Sequence, residues 1–161
     1  MSSKCWMFIL LLSACQQDHD SIKPVDESVL PGVWRIAAPG MVGFVFPADG
    51  YVYAPMTRIA ELMITDILMA EHVLQSQMVL LDLHTTYPLS PVRWKLHGYT
   101  RQYKGYWDTD GNLHIYINAI WQEEQGGKGF YLVHDGGNCY WQAWVDVKNK
   151  RLYDLMINGE A

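Results

Sequence analysis

NLHIYINAIW at residues 112–121 and CYWQAWVDV at residues 139–147 share one period-two pattern. In the first stretch the odd positions hold Leu113, Ile115, Ile117, Ala119 and Trp121. Its even positions hold Asn112, His114, Tyr116, Asn118 and Ile120. In the second, Cys139, Trp141, Ala143, Val145 and Val147 alternate with Tyr140, Gln142, Trp144 and Asp146. Side chains alternate across a β-sheet, so each stretch reads as a strand with an apolar face and an aromatic-polar face. The apolar faces need a cover.

Working outward, residues 98–107, 129–134 and 151–157 read as further strands. Asp108-Thr109-Asp110-Gly111, Asp135-Gly136-Gly137 and Lys148-Asn149-Lys150 supply the turns. Upstream, 33–37, 42–46 and 51–53 are short strand candidates, and 57–64 fits strand or helix. The cover is the one clear helix, 66–78, with Thr65 expected as N-cap and Asp66 in the first turn. Ile67, Ala70, Val73 and Leu74 fall on one face, and Leu68 and Met69 widen it. Residues 80–83 extend the helix or form a strand. The expected fold is α+β: one main helix packed on an antiparallel meander sheet, in a cystatin-like order of elements. A β-barrel with one helix is the alternative.

The chain has 161 residues, half of them hydrophobic and 18% charged, which fits one packed domain at 31–161. A net charge of −5 argues against nucleic acid as partner. The first residues, MSSKCWMFILLLSAC, place Lys4 before a short apolar run and small residues before Cys15. That order marks a secretory signal, too short to span a bilayer. Leu12-Ser13-Ala14-Cys15 resembles the lipobox of bacterial lipoproteins. The resemblance implies cleavage after Ala14, lipidation of Cys15, palmitate among its acyl chains, and a membrane partner reached through that lipid. Gln16, where an aspartate would favour the inner membrane, points to the outer membrane facing the periplasm. Residues 16–30, polar and acidic, form a tether. Loss of Lys4 with the leader lowers the basic residues from 12 to 11 against 17 acidic ones, a net charge of −6. With Cys5 removed and Cys15 acylated, Cys139 stands alone and no intramolecular disulfide forms.

The candidate binding surface is the even face of the sheet: Tyr116, Asn118, Tyr140, Gln142 and Trp144, with Gln102 and Tyr106 beside them. Rings give contact area and amides orient a ligand, which suits a peptide, an envelope protein or a glycan. The competing assignment puts those rings in a second core under the 33–53 strands. Cys139 near His134, or the loop carboxylates Glu123 and Glu124, would serve a small envelope hydrolase. A buried, inert Cys139 is the simpler expectation. A structural subunit of an envelope assembly is the third possibility. His84, His97, His114 and His134 lack metal-ligand spacing, and no nucleotide or redox motif is present, so neither metal nor cofactor is expected. The segments DGGNCY at 135–140 and NGEA at 158–161, with Ile117-Asn118-Ala119, resemble a group of short bacterial proteins. That resemblance implies a folded module and no activity.

Overall fold

The computed structural model describes residues 21–24, 31–47, 55–81, 92, 95–121 and 129–158. Among these residues, eight strands and one α-helix follow in chain order. They are β1 (Ser21–Pro24), β2 (Trp34–Ala38), β3 (Met41–Val45), β4 (Arg58–Ala60), α1 (Ile64–Leu81), β5 (Tyr99–Trp107), β6 (Leu113–Trp121), β7 (Tyr140–Asp146) and β8 (Arg151–Ile157). The sheet order is β1-β2-β3-β5-β6-β7-β8. β5 to β8 form an antiparallel meander, as the succession of strands and short turns led one to expect, but without a strand at 129–134. β3 lies parallel to the first half of β5, because the chain crosses over through α1 before β5 begins. The short β4 pairs antiparallel with the second half of β5. No pairing joins β1 to β8 among the described residues, so the sheet is open and not a barrel.

The odd positions do face the helix. Ile115, Ile117, Ala119, Trp141, Ala143 and Val145 form one core with Ile67, Ala70, Val73, Leu74 and Met78. Leu68 departs from the expected stripe and stands exposed, because it points away from the sheet. The helix begins at Ile64, earlier than expected. Its cap is not Thr65: the Asp66 carboxylate accepts a hydrogen bond at 2.8 Å from the Met63 amide, closing half of a capping box. Strand 51–53 lies outside the described residues, and the 80–83 extension is helical through Leu81.

Two strand expectations change. Residues 129–134 join no ladder; they run irregularly over the sheet, for reasons given below. Cys139 does not begin β7. It closes a short 3-10 turn, Gly137–Cys139, and is half-buried. Gly136 before it has φ +93, and a Cβ there would strike the Tyr140 ring at 2.6 Å, so this turn requires glycine.

Candidate functional site

The even face of the sheet carries Gln102, Asn118 and Gln142 side by side, because the ladders pair Gln102 with Asn118 and Asn118 with Gln142. The chain itself covers them. Residues 129–135 cross this face as a strap. The Gln102 amide donates to the Gly129 carbonyl at 2.5 Å and its oxygen accepts from the Tyr131 amide at 3.1 Å. Asn118 donates to the Tyr131 carbonyl and, at 2.9 Å, to Gln102. Gln142 and Asn158 donate to the Val133 carbonyl, and Asn158 also to the Asp135 carbonyl. Side-chain amides therefore satisfy alternate backbone groups of the strap. This is why a stretch with strand composition forms no ladder. Phe130 plugs in beneath, edge-on to Phe46 at 5.3 Å and tilted against Tyr116 at 6.1 Å.

The five predicted surface residues thus separate. Tyr116, Asn118 and Gln142 are 5%, 1% and 7% exposed. Tyr140 and Trp144 are half-buried, at opposite ends of β7. Trp144 contacts Tyr116 at 4.9 Å and Tyr106 at 5.4 Å, and stacks on Tyr153 at 6.3 Å.

Beyond Trp144 the face opens into a cleft of about 380 Å³, lined by Pro55, Met56, Asp108, His114, Trp144, Arg151, Tyr153 and Asp154. A β-bulge shapes it. Trp144 pairs with Tyr153 and Gln142 with Met156, so β8 holds one extra residue between them. Asp154 takes a left-handed φ of 48 at the bulge. It lines the same cleft as Arg151 and Tyr153, where strict alternation would have turned it away.

A three-residue chain floors the cleft. Asp108 Oδ2 lies 3.1 Å from His114 Nε2, and the Tyr153 hydroxyl 2.9 Å from His114 Nδ1. Asp108 also accepts from the Asn112 side chain and from the amides of Asn112 and Asp110. These bonds, Asn112 foremost, hold its carboxyl well below the ordinary range. An ionised Asp108 only accepts, so His114 Nε2 carries a proton. In the neutral ring Nδ1 then accepts from the Tyr153 hydroxyl. Burial, followed by Asp154 and Asp146, pushes the Tyr153 phenol up to about 12. At neutral pH Tyr153 is a fixed hydrogen-bonding group and not a nucleophile.

Among the described residues, Cys139 is not brought to a histidine. His114 faces Asp146 in the ladder, six residues along β7 from Tyr140, so Cys139 lies about 20 Å away at strand rise. His134 is exposed on the strap, and no hydrogen bond joins it to Cys139 among the described residues. Glu123, Glu124 and Cys15 lie outside the described residues. Among the described residues no three His, Cys, Asp or Glu side chains converge as metal ligands.

Sequence reasoning overlooked Asp108, Arg151, Tyr153 and Asp154. A signal existed: the core-facing residues of β8 are Leu152, Leu155 and Ile157, and the three-residue step between the first two breaks the alternation. His114 stood in the alternation as an even-face residue, but its partners come from a turn and from a later strand. No family model, curated protein or solved structure matches this chain.

Proposed function

We propose that this chain is a lipid-anchored envelope protein, held at the outer membrane through Cys15, whose domain is a binding or inhibitory module for a protein, peptide or glycan. The cystatin-like order, a helix followed by an antiparallel meander, belongs to the same proposal as an analogy of fold that carries no function. The observation that carries the binding reading is the Trp144 cleft. There the aromatic face escapes the strap and meets Arg151 and Asp154. The ligand contact is accordingly centred on Trp144, with Tyr116, Asn118 and Gln142 supporting it from beneath the strap. The hydrolase reading has weaker support, because His114 is engaged by Asp108 and Tyr153.

Two measurements test this. Palmitate labelling of the full chain should be lost in Cys15→Ser, and the protein should leave the membrane fraction. Labelling that persists excludes the anchor. Oxidative footprinting should modify Trp144 and Tyr153 in the free protein and spare Tyr116. Fractionated envelope glycans and peptides should protect Trp144 if they seat in the cleft, and Trp144→Ala should bind none of them. A Trp144 inert to oxidation in the free protein removes the cleft as a contact surface.

A further inference from the structure

Arg151 and Asp154 line the same cleft with opposite charge and do not meet each other: no ion pair joins them among the described residues. Two features hold them apart. The Arg151 guanidinium lies over the Tyr153 ring, 5.1 Å from its centroid. The bulge turns Asp154 into the cleft in a left-handed backbone conformation that L-residues rarely take, where no ion pair joins it to Arg151 among the described residues. The other acids nearby are engaged. Both oxygens of Asp108 accept hydrogen bonds. Asp146, opposite Arg151 in the ladder, accepts from the Asn149 amide and side chain with its two oxygens; it feels the Arg151 charge, but no ion pair joins the two among the described residues.

The cleft therefore offers one guanidinium, one carboxylate and an aromatic wall of Trp144 and Tyr153. A guanidinium takes a carboxylate in its planar fork. An aspartate accepts from an ammonium. A ring wall takes an apolar or aromatic side chain. Those three demands describe a free α-amino acid. The volume of about 380 Å³ sits at the small end of ligand sites. We infer that the cleft binds a zwitterionic α-amino acid with a large apolar side chain, its carboxylate on Arg151, its ammonium on Asp154 and its side chain against Trp144. This inference rests on the reading of the cleft as the binding site.

The test is calorimetric titration of the full-length protein in detergent with four probes. These are L-phenylalanine, its N-acetyl form without the ammonium, its amide without the carboxylate, and N-acetylglucosamine. L-Phenylalanine should bind, and each blocked form should bind about 10-fold to 100-fold more weakly, the cost of losing one charged hydrogen-bond partner. Arg151→Met should erase discrimination against the amide. Asp154→Asn, which tolerates the same φ, should erase discrimination against the N-acetyl form. Equal affinity for the three phenylalanine forms overturns the inference. So does binding of N-acetylglucosamine alone, but if Trp144→Ala abolishes that binding the cleft remains the binding site. Heat from none of the probes overturns the amino-acid assignment, and the footprinting of Trp144 then decides separately whether the cleft is a site at all.

Discussion

At the scale of single residues, the Asp108–His114–Tyr153 chain makes stability depend on pH at both ends. Asp108 titrates below its ordinary value of 3.8 because Asn112, His114 and the Asp110 amide bond to its charged form. A depressed carboxyl contributes stability above its unfolded pKa, and that contribution is lost as pH falls through the folded one. Asp146 is lowered as well: burial alone would raise it, but the Asn149 amides outweigh that penalty together with His114 and Arg151. The phenols behave oppositely. Burial first, then Cys139, lifts Tyr99 from 10.0 to about 12, and Tyr153 reaches the same value. Their contribution is complete below pH 10 and is lost as pH rises toward 12. Urea unfolding against pH should therefore show an acid limb below about pH 4 and an alkaline limb between 10 and 12. Asp108→Asn should shrink the acid limb, leaving the part due to Asp146. Tyr153→Phe should shrink the alkaline limb, leaving that of Tyr99 and of the buried Tyr103, whose phenol is also raised. An acid limb unchanged in Asp108→Asn would show that the charge has the same environment folded and unfolded.

At the scale of elements, the strap depends on side chains in the way a strand depends on a neighbouring backbone. Asn118 is central, because its amide bonds both Gln102 and the Tyr131 carbonyl and it is almost wholly buried. Asn118→Leu keeps the branched shape and leaves that carbonyl and the Gln102 oxygen short of a donor. Stranding a buried acceptor costs about 1–3 kcal/mol, which denaturant unfolding would register. The strap should also loosen, and the Tyr131 amide should exchange faster by about the same free energy. A slow-exchanging Tyr131 in the variant would place the strap's hold elsewhere. The strap also marks where the sequence stopped being legible. Odd-even alternation gave β6 and β7 because period two is local, and it put Ile115, Ile117 and Trp141 against the helix; composition and turns gave β5 and β8. The run from Gly129 to His134 has the same local composition. What distinguishes it is the run of Gln102, Asn118 and Gln142 across three strands, a non-local arrangement that from sequence alone resembled a ligand surface. The parallel pairing of β3 with β5 was hidden for a similar reason: its two strands lie on either side of the α1 crossover, and no local pattern encodes which strands become neighbours. In β8 the spacing of Leu152 and Leu155 was a usable sign of the bulge, and with it of Asp154 in the cleft.

At the scale of the whole molecule, a buried ionic contact joins the helix to the sheet. Arg101, on the core face of β5, is wholly buried, and its Nε lies 3.2 Å from Glu71 Oε1 on α1. The Tyr103 hydroxyl donates to the same oxygen at 2.8 Å, and the guanidinium donates to the Leu96 carbonyl at 2.9 Å. Among the described residues, Glu71 Oε2 and the Nε and Nη1 of Arg101 make no well-directed hydrogen bond. Removing two charges from water costs several kcal/mol per ion, and a pair with unmet valences recovers that incompletely. Burial accordingly raises the Glu71 carboxyl above its ordinary 4.5, although Arg101 opposes the shift. A raised carboxyl means that stability falls as pH climbs from 4.5 through the folded value, the reverse of Asp108. This pair therefore fixes how α1 sits on the sheet more than it strengthens the contact. Arg101→Met alone strands Glu71 in the core and should cost about 3–5 kcal/mol. The triple variant Glu71→Leu, Arg101→Met, Tyr103→Phe removes every unmet charge at similar volume. It should recover at least wild-type stability and lose this pH dependence. Its helix amides should exchange less uniformly if register was what the pair supplied. A triple variant as unstable as Arg101→Met would mean that the ion pair itself, and not its absence of repair, sustains the core.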